Sequence, residues 1–259
     1  MKIAIIGAGA YGTALGEVLA GKGFDVDYYD KASEQKILAE VLEGAQFVLL
    51  TVPSAALPYV LPDLPKDIPL IVATKGILSA KTFAQFRDYM VISGPGFAED
   101  IKAHKPTVLT MTDSRIKELF GTDYLTFDFT DDENGVLMCG ALKNVYAIEA
   151  GLRNLKRKTR DWNSYIEAVC EEMKAILAAN GAEAKTVDLV CGVGDLKLTC
   201  GYPSRNYEFG DKLRANVDYQ PEKTVEGVSA LKKIKSGEIV LPDGIPILRD
   251  LMTTSDNWA

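Results

Sequence analysis

Hydrophobic and polar positions change their rhythm once along this chain. In the first half, short apolar runs alternate with helical spacings. Residues 2–6 (KIAII) form an apolar run that stops at glycine, as a buried parallel strand does. Residues 10–22 follow with Ala14, Leu15, Val18 and Leu19 on one helical face. Residues 24–30 (FDVDYYD) read as a second strand closed by Asp30, and residues 33–43 as an amphipathic helix with Ser33 at its start and Gly44 as its stop. Residues 46–52, 69–73 and 89–92 are further strands, followed by Pro53, by Thr74-Lys75-Gly76 and by Ser93-Gly94-Pro95-Gly96. Strands alternating with helices predict an α/β fold, a doubly wound sheet with a parallel core. From residue 132 the apolar spacing is helical throughout. It predicts helices over about 132–152, 161–180, 183–190, 204–214, 222–236 and 245–254, with no clear strand after about residue 129. The expected organisation is a Rossmann-like domain over 1–130 and an all-helical domain over 131–259.

Composition narrows the function. The 259 residues carry a formal net charge of -7, which disfavours non-specific contact with nucleic acid or membrane, since both are anionic. The cluster Arg153, Lys156, Arg157, Lys158 and Arg160 reads as a solvated helix end or loop. The four cysteines, Cys139, Cys170, Cys191 and Cys200, form no C-x-x-C pair, and His104 is the only histidine, so no metal site is expected. Reduced thiols and a cytoplasmic setting are expected. The opening apolar run breaks at Gly7 and Gly9, too early for a signal peptide, and no run approaches the ~18 apolar residues of a membrane span.

Within this frame, Gly7-Ala8-Gly9-Ala10-Tyr11-Gly12 is a G-x-G-x-x-G between a strand and a helix. Gly7 permits the tight turn, Gly9 the approach of a pyrophosphate, and Gly12 close packing of helix on strand. The helix start then offers unpaired N–H groups and a positive dipole end to phosphate. Asp30 stands where a ribose-binding carboxylate is expected, about 20 residues on. Lys75 follows a strand, where a cation meets substrate or simply meets water. Lys143 and Asn144 interrupt an otherwise apolar helical stretch with Leu142, Val145, Ala147, Ile148 and Ala150, so they require partners or a path to water. A lysine so buried is an acid–base candidate. Asp195, in Gly194-Asp195-Leu196, has two candidate cations, Lys143 and Lys75. Ser204 is a good N-cap, and Arg205 at the helix it opens suits a phosphate.

In order, GAGAYGTALG, TKGI, SGPGFAED, CGALKNVYAIEAG, GVGDLKLTC, SRNYEFG and TVEGVSAL strongly resemble the NAD(P)-dependent glycerol-3-phosphate dehydrogenase family. The motifs span residues 7 to 231. The resemblance implies NAD, with NADP as the other cofactor the family takes. It implies a small-molecule substrate, dihydroxyacetone phosphate or sn-glycerol 3-phosphate, and admits a homodimer. Lys143 matches the family's acid–base lysine, with Lys75 and Asp195 beside it in the catalytic set. Lys75, Gly94, Asn144, Ser204, Arg205 and Asn206 are implied at the substrate. Gly7, Gly9, Ala10, Tyr11, Gly12, Asp30, Lys31, Pro53, Lys75, Ala98, Arg205 and Glu226 are implied at the cofactor. Three departures stand out. The chain is shorter than familiar members, notably between residues 31 and 45 and at the C-terminus. Gly96 replaces the second serine of SGPS, and the 199–204 segment is one residue short. The rival readings are a 3-hydroxyacid dehydrogenase, against which SRN and GDLKLTC argue, and a silent dinucleotide-binding sensor, against which the retained Lys75, Lys143 and Asp195 argue.

Overall fold

The computed structural model describes residues 1–31, 36–201, 204–222, 224–255 and 258. It divides into two compact units: residues 1–75 with 80–133, and residues 76–79 with 134–259.

The first unit is built on a seven-stranded sheet in the order β2-β1-β3-β4-β5-β6-β7. Its strands are β1 (Lys2–Ile6), β2 (Asp25–Tyr29), β3 (Phe47–Leu50), β4 (Leu70–Val72), β5 (Tyr89–Ser93), β6 (Thr107–Met111) and β7 (Leu125–Phe129). All neighbours are parallel except β5 and β6. After β2 the chain returns across β1 to lay down β3, so the order reverses beside β1. Ligands of open α/β sheets bind at the carboxyl ends of the strands at such a reversal. The helices are α1 (Ala10–Gly21), the short α2 (Leu38–Leu42) and α3 (Leu57–Val60), then α4 (Ala98–Lys102) and α5 (Ser114–Phe120). Ile3, Ile5, Leu49, Ile71, Met90, Ile92 and Leu109 project from one sheet face. They pack with Ala14, Leu15, Val18 and Leu19 of α1, Ile101 of α4 and Ile116 and Leu119 of α5. The alternate residues Ala4, Ile6, Val48, Leu50 and Val72 are equally buried, which is why these strands read as continuous apolar runs.

Strands β6 and β7 extend the sheet beyond the five that the apolar runs announce. The predicted helix over 33–43 is observed only as α2, and its expected cap Ser33 lies outside the described residues.

Among its described residues the second unit is helical: α6 (Glu133–Leu152), α7 (Trp162–Ala179), α8 (Asp195–Thr199), α9 (Arg205–Ala215), α10 (Glu226–Lys235) and α11 (Pro246–Thr254). The stretch predicted as a helix over 183–190 is a 3-10 turn at Ala184–Asp188, followed by one π-helical turn, Val190–Gly194, that delivers the chain into α8. Helix α6 is its axis, buried without a break from Gly135 to Gly151. A helix apolar on every side requires neighbours on every side. Glu172, buried on α7, ties two of them together: it accepts from the Tyr146 hydroxyl (2.8 Å) and from the Ile247 and Leu248 N–H groups (2.6 and 3.0 Å) at the start of α11. Among the described residues no helix is long and apolar enough to cross a membrane.

Candidate active site

The glycine turn of the first unit has the shape that a dinucleotide phosphate requires. Gly7 has φ +108°, and a Cβ there would lie 2.9 Å from the Val52 backbone nitrogen, so only glycine fits. A Cβ on Gly12 would come within 2.2 Å of the Gly7 carbonyl oxygen, which brings α1 down onto the turn. Gly9, by contrast, faces nothing within 4 Å. It caps α1 without a side chain, so the first N–H groups of the helix keep their open side. Thr51, at the end of β3, donates to the Gly7 carbonyl at 2.7 Å and braces the turn from below. This cradle fits an NAD(P) pyrophosphate.

The other implied cofactor residues of this unit gather around it. Asp30, which the sequence assigns to the ribose, accepts from the Ala8 N–H at 3.0 Å, so its carboxylate braces the turn. Lys31 beside it is exposed. Ala10 opens α1, and Tyr11 follows it there. The Lys75 ammonium lies 5.5 Å from the centre of the Tyr11 ring, so the end of β4 and the start of α1 meet at these two side chains. Pro53 leads into the 3-10 turn Ser54–Ala56, and Ala98 opens α4. Gly94 is buried with φ +147°, a Cβ there falling 3.1 Å from the Leu109 backbone, so its role in the fold is the turn out of β5.

In the second unit the sequence left Asp195 a choice of cations. The structure pairs it with Lys143: Nζ to Oδ2 is 2.7 Å, with side chains only 3% and 2% exposed. Lys143 also donates to the Thr199 hydroxyl at 3.1 Å, and that hydroxyl donates to Asp195 Oδ1 at 3.2 Å. Thr199 stands in the Asp195 motif, but the sequence assigns it no role. Its signal was its place four residues after Asp195, on the same face of α8. The buried ammonium thus has a full charge and a hydroxyl around it, which an ion of this burial requires.

Asn144, the next residue of α6, donates to the Gly140 carbonyl at 3.1 Å and accepts from Asn206 Nδ2 at 2.9 Å. Ser204 caps α9, accepting from the Tyr207 N–H at 3.1 Å, while its hydroxyl donates to the Thr199 carbonyl. The start of α9 is thereby tied to the lysine's own support. Arg205, first residue of α9, is exposed, and Glu226 opens α10. Of the basic cluster, Arg157 does not stand free in water. It donates to the Lys197 carbonyl at 3.3 Å and its guanidinium covers Gly201.

Burial perturbs the titration of groups around α6. It pushes the Cys200 thiol and the Tyr146 and Tyr165 hydroxyls well up, and it raises the Glu149 carboxyl against the pull of Arg153. Glu149 pairs with Arg153 through Oε1, and the Tyr165 hydroxyl lies beside its carboxyl. Among the described residues no three His, Cys, Asp or Glu side chains gather to hold a metal, and His104 stacks instead on Tyr124 at 4.3 Å.

Comparison with known proteins agrees with this geometry. Residues 30–118 match the model of the NAD-dependent glycerol-3-phosphate dehydrogenase N-terminus, and residues 132–251 that of its C-terminus. A glycerol-3-phosphate dehydrogenase [NAD(P)+] of Maridesulfovibrio salexigens is 32% identical, over 90% of this chain and 87% of the relative. One from Leptospira biflexa is 30% identical over 92% and 85%. The crystal structure of glycerol-3-phosphate dehydrogenase from Coxiella burnetii superimposes with a TM-score of 0.83 at 27% identity, covering 99% of this chain and 96% of that one. A ketopantoate reductase from Ralstonia eutropha shares the fold at 16% identity and a TM-score of 0.58. The chain belongs to the NAD(P)-dependent glycerol-3-phosphate dehydrogenase family.

Proposed function

We propose that this protein interconverts dihydroxyacetone phosphate and sn-glycerol 3-phosphate, with Lys143 as the acid and base. The observation that carries this is the Lys143–Asp195–Thr199 cluster: a lysine buried in an apolar helix with one carboxylate and one hydroxyl at 2.7 and 3.1 Å. Residues 1–130 serve as the dinucleotide-binding half, and 131–259 as the catalytic half. When bound, NAD(P)H supplies the hydride. Gly7, Gly9, Ala10 and Gly12 would receive its pyrophosphate, and Tyr11, Lys75, Pro53 and Ala98 would complete its surroundings.

In the reducing direction Lys143 Nζ gives a proton to the oxygen of the carbonyl as that oxygen gains charge. Asp195 and Thr199 hold the ammonium through one contact each and are tied to one another by a third, so little reorganisation is required during transfer. The remaining Asn144 N–H polarises the same oxygen, and the resemblance gives Lys75 a part in the reaction. Arg205 holds the phosphate. Ser204 takes the Tyr207 N–H, which leaves the N–H groups of Arg205 and Asn206 at the start of α9 for the same anion. In the oxidising direction Lys143 takes the hydroxyl proton back.

NADH is the preferred cofactor in this reading. Asp30 accepts from ribose hydroxyls, and a 2′-phosphate beside it meets a like charge, with Lys31 as the opposing influence. The expected setting is cytoplasmic, supported by four buried free thiols, and the expected assembly is a homodimer. The test is turnover of dihydroxyacetone phosphate by purified protein with NADH and with NADPH, followed by loss of reduced-nicotinamide absorbance. Turnover of a 3-oxoacid in its place, or of neither, overturns the reading.

A further inference from the structure

We propose that Asn206 is a positioning residue: its side-chain amide clamps the catalytic helix α6 to the start of α10, and the clamp sets the place of Lys143 and Asn144. This rests on the function proposed above and deepens it.

The clamp is a chain of three hydrogen bonds. The Gly227 N–H donates to Asn206 Oδ1 at 2.9 Å, Asn206 Nδ2 donates to Asn144 Oδ1 at 2.9 Å, and Asn144 Nδ2 donates to the Gly140 carbonyl at 3.1 Å. Both ends are backbone groups of fixed character. The N–H can only donate and the carbonyl can only accept. The direction of every bond between them is therefore dictated, and turning either amide over sets like atoms against each other twice. Asn144 and Asn206 are 4% and 8% exposed, so neither has ready access to water as a substitute.

The three helices meet closely at this point. A Cβ on Gly227 would lie 2.4 Å from the Asn144 carbonyl oxygen and 2.8 Å from Ile148 Cδ1. A Cβ on Gly210 would lie 2.0 Å from the Ile148 carbonyl, and one on Gly151 2.1 Å from that of Tyr207. Helices α9 and α10 therefore press on α6 backbone to backbone along the turns that follow Lys143. Such contacts set distance, but glycine surfaces carry little to fix sliding or rotation. The directed amide chain supplies that register. It has a chemical consequence too. One N–H of each amide is left over, and it can donate to a carbonyl or phosphate oxygen.

The experiment compares steady-state kinetics of Asn206→Ala and Asn206→Asp with wild type, on dihydroxyacetone phosphate and on unphosphorylated dihydroxyacetone. A positioning role predicts that kcat falls about tenfold to a hundredfold, by the same factor for both ketones, with KM for the phosphorylated one within about threefold. In Asn206→Asp, activity recovers as pH falls, because only the protonated carboxyl can donate to Asn144 Oδ1. A rise in KM confined to the phosphorylated ketone, with kcat kept, makes Asn206 a simple phosphate ligand and overturns the clamp. Gly227→Ala is the second variant. It leaves both amides in place and pushes α10 off α6, so it must lower kcat for both ketones; unchanged kinetics contradict the proposal. A thermal-unfolding cycle over Asn144→Ala and Asn206→Ala reads the clamp without turnover. Non-additive losses support it and additive losses refute it, even if wild type fails to reduce dihydroxyacetone phosphate and the functional reading falls.

Discussion

Replacing Asp195 by asparagine removes one charge and almost no volume. Its carboxylate is 2.7 Å from the Lys143 ammonium and both side chains are all but closed to water, so the ammonium loses that counter-charge in a site that solvent barely reaches. Breaking a buried pair from one side costs about 3–5 kcal/mol. The protein can escape this cost by releasing the lysine proton. Burial without that carboxylate favours the neutral amine, so the proton leaves at lower pH than in wild type. Reduction requires the protonated lysine, so the alkaline limb of kcat/KM for dihydroxyacetone phosphate reduction moves to lower pH. The oxidising direction, which requires the neutral amine, suffers less at high pH. The assay is the pH profile of both directions in wild type and Asp195→Asn, with cofactor affinity measured by nicotinamide fluorescence as a control. An alkaline limb that does not move in the reducing direction refutes the role given to the pair. So does a loss that is uniform across pH and equal in both directions.

Three further outcomes follow from the same geometry. Arg205→Ala weakens dihydroxyacetone phosphate at least about tenfold and spares unphosphorylated dihydroxyacetone, because only the former carries the anion; equal losses remove Arg205 from the phosphate site. Asp30→Ala shifts the kcat/KM ratio of NADH to NADPH toward NADPH and weakens both, since the carboxylate also holds the Ala8 N–H; an unaltered ratio shows that Asp30 does not choose the cofactor. Glu149 carries a carboxyl raised by burial, so its contribution to stability is complete below the ordinary glutamate value and is lost as pH rises through its folded value. The melting temperature of wild type minus that of Glu149→Gln is therefore expected to be larger at pH 4 than at pH 8, and a difference that grows with pH contradicts this.

Much of this molecule is legible in its sequence, and the parts that are not share a cause. The β1–turn–α1 unit is readable because local chemistry dictates it: an apolar run, a glycine forced to φ +108°, and a helix start. Lys143 and Asn144 are noticeable because polar groups in an apolar helix must be satisfied somewhere. Where they are satisfied is a tertiary matter. Lys143 finds Asp195 and Thr199 more than fifty residues away, and nothing local chooses Lys143 over Lys75 as the partner of Asp195. Asn206 reads as one more polar residue of a phosphate-binding turn until Asn144 and Gly227 are seen on either side of its amide. Strands β6 and β7 escape because they lie toward the sheet edge, where Val108 and Phe129 are exposed and the apolar run is broken by threonine and aspartate. The 183–190 stretch has helical spacing but tightens to a 3-10 turn. A Cβ on Gly192 would lie 2.2 Å from the Val187 carbonyl, a closeness that no ordinary α-helical register provides. The basic cluster at 153–160 reads as solvated because the contact of Arg157 with Gly201 joins segments some forty residues apart.

The most direct test of the account is Lys143→Ala under single-turnover conditions, with saturating dihydroxyacetone phosphate and enzyme in excess of NADH. Lys143 is in the unit of residues 134–259 and the pyrophosphate cradle is in the other, so NADH affinity is expected to stay within about threefold of wild type. Hydride transfer is expected to slow by roughly 10²–10⁴, the range for loss of a positioned proton donor, with partial rescue by added small primary amines. Near-normal hydride transfer in this variant, with NADH bound as tightly as in wild type, would contradict the central claim that Lys143 is the acid.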